Sequence, residues 1–390
     1  MPQHLSEDDI YRTSSQYRFW SFSPERLNLL RKKTHDLAVE RARRHAGQHN
    51  GDVAIGTTSN GEEMDRLTED EEMRLVQRYC DQIRTTSDHF KWPINVKATA
   101  VQYLKRFYLS NSCMTYPPKE IYKTILYLAC KTEATHMPLS EYARRISTDP
   151  EQILAPEYKV MQALRFTLDV KQPFRGLKGV LMELLNLAEG LVGPVDGMDE
   201  TDGDRLKDVM LELPSPQQGN QSQWKHSSDV RDNAMLKERI QAAYSAARGL
   251  LDAPALLTDA YFLYAPSQIL LAAMHVADTP LTTFYLSTKL PTALPARPKI
   301  LATIHSCAEM LQNFSPDQVL SKDDRTALEA KLELCRDPGT RDLVKAFQES
   351  RLEGDDDEKA NRKKMKREQS RREGDALFGP SLMKPNGKGG

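Results

Sequence analysis

The stretch from Ala100 to Glu133 constrains the fold most, because it encodes two successive helices of different character. Ala100, Tyr103, Leu104, Phe107 and Tyr108 recur at i, i+3, i+4, i+7 and i+8, one apolar stripe with a period of 3.6. Ser110-Asn111-Ser112 interrupts that stripe, and Pro117-Pro118 suits the start of a new helix, where a missing N–H leaves no bond unmade. From Ile121 to Cys130 the chain is apolar nearly all round, which predicts a helix enclosed by others. Lys131 stands at its C-terminal end. The expected plan is a central helix wrapped by amphipathic ones.

The residues around this pair extend the plan. Thr68 and Glu71 have the spacing of a capping box, and Met73, Val76, Cys80 and Ile83 mark the amphipathic helix that follows. Pro138 to Ile146 reads as a short helix. Pro150 to Leu168 reads as one longer helix, with Ile153, Leu154, Val160, Met161 and Leu164 facing inward. That makes five helices between Thr68 and Leu168, and the period-two alternation of strands is absent.

The pattern then repeats. Phe107–Ile121 lies over Ala255–Ile269 without a gap, so that Leu109 meets Leu257, Tyr116 meets Tyr264, Pro118 meets Pro266 and Ile121 meets Ile269. An apolar helix follows each copy, which predicts a duplicated, all-α helical domain. The copies end differently: Asp278 stands where Cys130 does, and no lysine follows it. The two copies are therefore expected to differ in role.

Segments flank and interrupt the two copies. Ser23-Pro24-Glu25 starts a helix with a thin apolar stripe (Leu27, Leu30, Leu37, Ala38) and a basic remainder that includes Arg26, Lys32, Lys33, Arg43 and Arg44. That remainder, which also holds Arg31 and Arg41, is either the solvated face of a docked helix, the preferred reading, or a surface for acidic partners. Gly47 to Gly61 reads as a linker, and Glu189 to Asp232 as a disordered insertion. Ser321 caps a further helix, and Leu343, Val344 and Phe347 suggest another. Beyond Glu353 the composition predicts a disordered tail; its cluster Arg362–Arg367 is a nuclear-import address or a simple solubilising segment. The expected division is an N-terminal arm, basic helix and linker (1–66), a first helical domain (67–170), a second (171–312, with the insertion at about 189–232), C-terminal helices (313–352) and the charged tail (353–390).

Composition excludes several function classes. Lys and Arg total 54 against 55 Asp and Glu, so no global field favours nucleic acid. Five scattered cysteines suit buried thiols in a reducing compartment rather than a disulfide framework. No apolar run approaches the roughly 18 residues of a membrane span, so neither secretion nor membrane insertion is expected. His45 and His49 have helical spacing but no Cys or Asp partner nearby, so no metal is expected there. There is no phosphate-binding glycine loop before Lys-Ser or Lys-Thr, no Gly-x-Ser-x-Gly and no kinase signature. Cys130 sits in an apolar helix, which suits core packing better than nucleophilic chemistry. The chain does not read as an enzyme.

Leu128-Ala-Cys-Lys131, with Tyr103–Leu109 before it and Ala163–Leu168 after it, resembles the cyclins, whose paired boxes each wrap five helices around a buried third. Ser14–Phe22, Lys105–Ser112 and Leu257–Ile269 are most similar to the cyclin H type, the regulatory subunits of CDK-activating kinases. The resemblance implies that Lys131 and Glu157 bind a cyclin-dependent kinase catalytic subunit. It implies a non-catalytic activator acting in the nucleus, with ATP and Mg held by the kinase and no cofactor or metal of its own. Its implied partners are a RING-finger assembly subunit and the TFIIH core; the implied substrates are activation loops of other cyclin-dependent kinases and the C-terminal domain of RNA polymerase II. The resemblance also implies that the helix Ser23–Ala46 packs against a C-terminal helix, whose identity the sequence leaves open. The alternatives are another transcriptional cyclin of the C or L type, or a TFIIB-like cyclin-fold scaffold on DNA. The latter would want a zinc ribbon, and no Cys-x-x-Cys is present.

Overall fold

The computed structural model describes residues 7–48, 66–191, 200–216 and 233–352, and every regular element among them is helical. Three helices come first: α1 (Glu7–Thr13), α2 (Ser15–Trp20) and α3 (Pro24–Gln48). The first bundle follows, with α4 (Glu69–His89), α5 (Ile94–Phe107), α6 (Pro118–Thr132), α7 (Leu139–Arg145), α8 (Pro150–Leu154) and α9 (Glu157–Ala163). The capping box forms as its spacing predicts: the Glu71 amide donates to Thr68 Oγ1 at 3.2 Å and the Thr68 amide to Glu71 Oε2 at 2.8 Å. Helix α6 starts on the predicted proline and packs against α4, α5, α8 and α9. Its inner residues Ile121, Ile125 and Leu126 are fully buried, and truncating any one to alanine should remove about 2–5 kcal/mol of stability.

Two expectations need correction here. The single helix expected over Pro150–Leu168 is two, α8 and α9, broken at Ala155-Pro156. Pro156 has no N–H to give and its ring opposes the carbonyl one turn back, so the helix restarts at Glu157. Helix α5, read as carrying one apolar stripe, is the more enclosed of the opening pair: every residue from Val96 to Phe107 is buried. Its polar face meets other elements rather than water. Lys97 pairs with Asp88 at 2.6 Å and with Asp252 at 2.7 Å, and Lys105 donates to the Thr258 carbonyl. Arg106 donates to Gln16 Oε1 at 3.2 Å, and its guanidinium lies 5.0 Å from the Trp20 ring centroid. Burial pulls the Arg106 guanidinium down to about 10, which leaves it charged at neutral pH.

The second bundle comprises α10 (Phe174–Ala188), α11 (Glu200–Leu211), α12 (Asn233–Asp252), the short α13 (Pro254–Leu257) and α14 (Ala260–Leu263), then α15 (Pro266–Ala277), α16 (Thr279–Lys289) and α17 (Arg297–Gln312). At its centre α15 packs against α10, α12, α16 and α17, as α6 does in the first bundle. The stretch read as a disordered insertion contains α11, which packs on α10 and α12 and buries Met210. Its remaining parts, 192–199 and 217–232, lie outside the described residues, as do 49–65 of the expected linker and the charged tail from 353.

Helix α18 (Lys322–Cys335) returns to the first bundle. Lys331 pairs with Glu71 of α4 at 2.9 Å, Tyr79 donates to Glu329, and Arg336 forks onto Glu120 at 2.7 and 2.8 Å. Arg41 of α3 lies 3.8 Å from Asp337, two residues beyond the end of α18. A separate unit begins at Gly339 and holds α19 (Leu343–Leu352). All five cysteines are buried and unbridged. Among the described residues no helix is long and apolar enough to cross a membrane.

Candidate functional site

The two residues singled out in the sequence meet in the structure. Lys131 lies in the last turn of α6, where carbonyl groups without helical partners favour a cation. The helix ends tightly, with the Thr135 amide donating back to the Cys130 carbonyl at 2.9 Å and Ala134 at φ +53°. Glu157 is the first residue of α9, where free amides favour an anion. Lys131 Nζ donates to Glu157 Oε1. The contact joins the negative end of one helix to the positive end of another, 26 residues apart.

The pair is accessible. The side chains are 40% and 25% exposed for Lys131 and Glu157, so either can exchange its partner for one on another molecule. Lys131 Nζ also lies 4.9 Å from the Tyr127 ring centroid, a cation–π contact one turn back along α6. Burial, with the Glu157 charge second, pushes the Tyr127 phenol up, so the ring stays neutral. Sequence reading missed Tyr127, although its spacing four residues before Lys131 puts both on one helix face. It also missed Tyr158 and Phe166, large exposed aromatics beside Glu157 and after α9.

The surroundings favour contact over chemistry. Burial pushes the Cys130 thiol up to about 12, so it is protonated at neutral pH. Among the described residues no group of three or more His, Cys, Asp or Glu could hold a metal ion; the side chains of His45 and His49 lie outside them. A cavity of about 610 Å³ opens between α3, α4 and the junction of α13 and α14, away from Lys131 and Glu157. Its walls carry charges paired with one another: Arg31 forks onto Asp259 at 2.8 and 2.6 Å, and His35 meets Glu72 at 2.7 Å.

Comparison with known proteins agrees with this architecture. Residues 57–169 match the cyclin N-terminal domain and residues 172–312 the cyclin C-terminal domain. The chain is 29% identical over 293 residues to cyclin CCL1 of Saccharomyces cerevisiae, covering 74% of this chain and 63% of that one. It is 33% identical over 180 residues to cyclin mcs2 of Schizosaccharomyces pombe, covering 45% and 54%. The matches thus span about half to two thirds of the length of these relatives. Among solved structures, a chain of the CAK complex from Chaetomium thermophilum bound to ATP-gamma-S superposes with a TM-score of 0.70 at 32% identity, covering 91% of this chain and 97% of that one. A chain of the yeast TFIIK (Kin28/Ccl1/Tfb3) complex gives 0.50 at 26%, covering 77% and 100%. Two helical bundles built around α6 and α15, matched by both cyclin domains over most of the chain, establish that this protein belongs to the cyclin family.

Proposed function

We propose that this chain is the regulatory subunit of a CDK-activating kinase of the cyclin H type, and that Lys131 and Glu157 anchor the kinase. One observation carries the reading: the accessible ion pair between the end of α6 and the start of α9, in a chain that resembles a subunit of a CAK complex along nearly its whole length. The mechanism is allosteric. Lys131 and Glu157 bond backbone groups of the kinase helix that carries its catalytic glutamate, and hold that helix inward. The kinase's own Lys–Glu pair and metal-binding aspartate then line up for phosphoryl transfer. The cyclin supplies no catalytic atom; ATP and Mg belong to the kinase.

The wider assignment follows from the same likeness. A RING-finger subunit completes the kinase module, the module joins the TFIIH core in the nucleus, and its substrates are kinase activation loops and the RNA polymerase II C-terminal domain. The composition of the yeast complex, Kin28 with Ccl1 and Tfb3, supports a three-subunit module. Affinity purification of the full chain with mass spectrometry should recover a cyclin-dependent kinase. The double variant Lys131→Ala/Glu157→Ala should stay helical and folded yet fail to activate that kinase. Wild-type activation by the double variant would refute the anchor assignment.

A further inference from the structure

The turn between α7 and α8 joins a sequence pattern to an open position. Arg144 and Arg145 end α7, and Ser147 follows two residues later with Thr148 beside it. Both arginines and Ser147 are exposed, and the Ser147 hydroxyl bonds to no other described residue. Guanidinium groups two and three positions before a serine suit an acidic substrate cleft, because each can fork onto a carboxylate. Arg145 pairs with Glu141 one turn back, at 2.6 Å on the helix surface. Arg144 has no carboxylate partner among the described residues.

Position as well as pattern singles out this serine. Thr34 also follows paired cations, Arg31 and Lys32, at the same spacing. It lies inside the 25-residue α3, however, and its hydroxyl donates to the Leu109 carbonyl at 2.7 Å. Helix α7 has seven residues, and only its last turn must open for Arg144 to Thr148 to extend into a cleft. The surroundings are also short of negative charge. Lys123 Nζ meets the neutral Thr148 hydroxyl at 2.7 Å. Burial, with the Lys119 charge second, lowers the Lys123 ammonium below its ordinary value. Asp149, the nearest carboxylate in sequence, is engaged in capping α8 through the Glu151 amide at 2.9 Å. Lys123 precedes Lys131 by about 12 Å along α6, so the turn stands clear of the anchor pair.

We propose that Ser147 is a phosphorylation site for an arginine-directed serine kinase, and that Lys123 and Arg144 hold the phosphate. The Ser147 Oγ attacks the γ-phosphorus of ATP bound to that kinase. An O–P bond forms, the bond from phosphorus to the β,γ-bridging oxygen breaks, and ADP leaves with the electron pair. The hydroxyl proton passes to the acting kinase's carboxylate base. The product adds about two negative charges and three acceptor oxygens next to a lysine whose present partner is a neutral hydroxyl. The phosphate thereby ties α6 to the turn that starts α8. This inference is independent of the reading of Lys131 and Glu157.

The test uses the full chain, ATP and the catalytic subunit of cAMP-dependent protein kinase as the arginine-directed probe. Peptide mass spectrometry should find phosphate on Ser147 and none on Thr34, and Ser147→Ala should remove that label. Arg144→Ala/Arg145→Ala should slow labelling on the order of 10- to 100-fold. In the phosphorylated chain, a phosphorus NMR titration should place the second phosphate ionisation below its usual value of about 6. Lys123→Gln should return it toward that value. Chain recovered from its own cells should carry phosphate on Ser147. Labelling of Ser147 only after the chain is unfolded, an unchanged rate in the double arginine variant, or no phosphate on Ser147 in chain from cells would each overturn the site. An ionisation that Lys123→Gln leaves in place would overturn the hold by Lys123 and leave Ser147 standing as the acceptor.

Discussion

The ends of α6 and α15 hold corresponding places in the two bundles and place their charges in opposite surroundings. Both helices start on matched prolines, Pro118 and Pro266, and both form the centre of their bundle. Helix α6 ends in Lys131, bonded to Glu157 at the surface. Helix α15 ends at Asp278, which is 2% exposed and forked by Arg239 at 2.7 and 2.9 Å. Asp278 also caps α16, accepting from the Leu281 amide at 2.9 Å. A sealed pair of this kind is committed to its own bundle, whereas an accessible one can be re-partnered. The two bundles share a plan, and the placement of charge separates the two helix ends.

The largest effect that can test this contrast is at Asp278. Asp278→Ala strands Arg239 in the interior without its counter-charge and removes a helix cap. It should destabilise the protein by about 3–5 kcal/mol in urea unfolding. Lys131→Ala should lower stability by less than about 1 kcal/mol, the usual range for an exposed pair. Its effect belongs to the proposed kinase contact, where truncating an anchor should cost about 2–5 kcal/mol of binding in a calorimetric titration. If Lys131→Ala unfolds the chain as readily as Asp278→Ala, the two ends are not functionally distinct.

The local signals were legible in the sequence. Capping at Thr68 and Ser321, the proline starts of α6 and α15, and the doubled pattern all depend on residues a few positions apart, and each appears where its spacing predicts. Pro156 carried the break between α8 and α9, but the apolar spacing of Ile153, Leu154, Val160 and Met161 masked it. Other features rest on contacts that no local pattern encodes. Arg106, Lys105 and Lys97 look like the solvated side of α5 and are buried because Gln16, Thr258 and Asp252, distant in sequence, cover them. Met210 lies in a polar stretch whose composition hides a packed helix. Lys131 and Glu157 were singled out by likeness to a family; their mutual bond follows from the opposed helix ends that carry them.

The smallest expected effect concerns how α3 is tied to each bundle. Arg31 binds Asp259, between α13 and α14 of the second bundle, and His35 binds Glu72 in the first. Glu72 is itself held by the Ser112 hydroxyl at 2.6 Å and the Cys113 amide at 2.7 Å. The hydrogen bond to Glu72 holds the His35 imidazole above its ordinary value; burial opposes it, and the charges of Glu72, Asp36 and Glu69 add to it. A group raised on folding stabilises fully below its unfolded value, about 6.5, and that contribution is lost as pH rises through the raised value. Asp259 has the opposite sign. Burial pushes its carboxyl up, but hydrogen bonding from Arg31 and the Lys105 charge outweigh burial and hold it below the ordinary carboxylate range. Its contribution is present above about pH 4 and lost only as pH falls through that lowered value. Raising the pH from 6 to 8.5 should therefore loosen only the tether to the first bundle, by about 1 kcal/mol or less because His35 is partly exposed to solvent. Melting temperature followed across that interval should fall slightly in the wild type and lose this component in His35→Gln. Arg31→Met should lower it by the same amount at each pH while keeping the slope. Equal slopes in wild type and His35→Gln would show that both bundles hold α3 by pH-independent contacts.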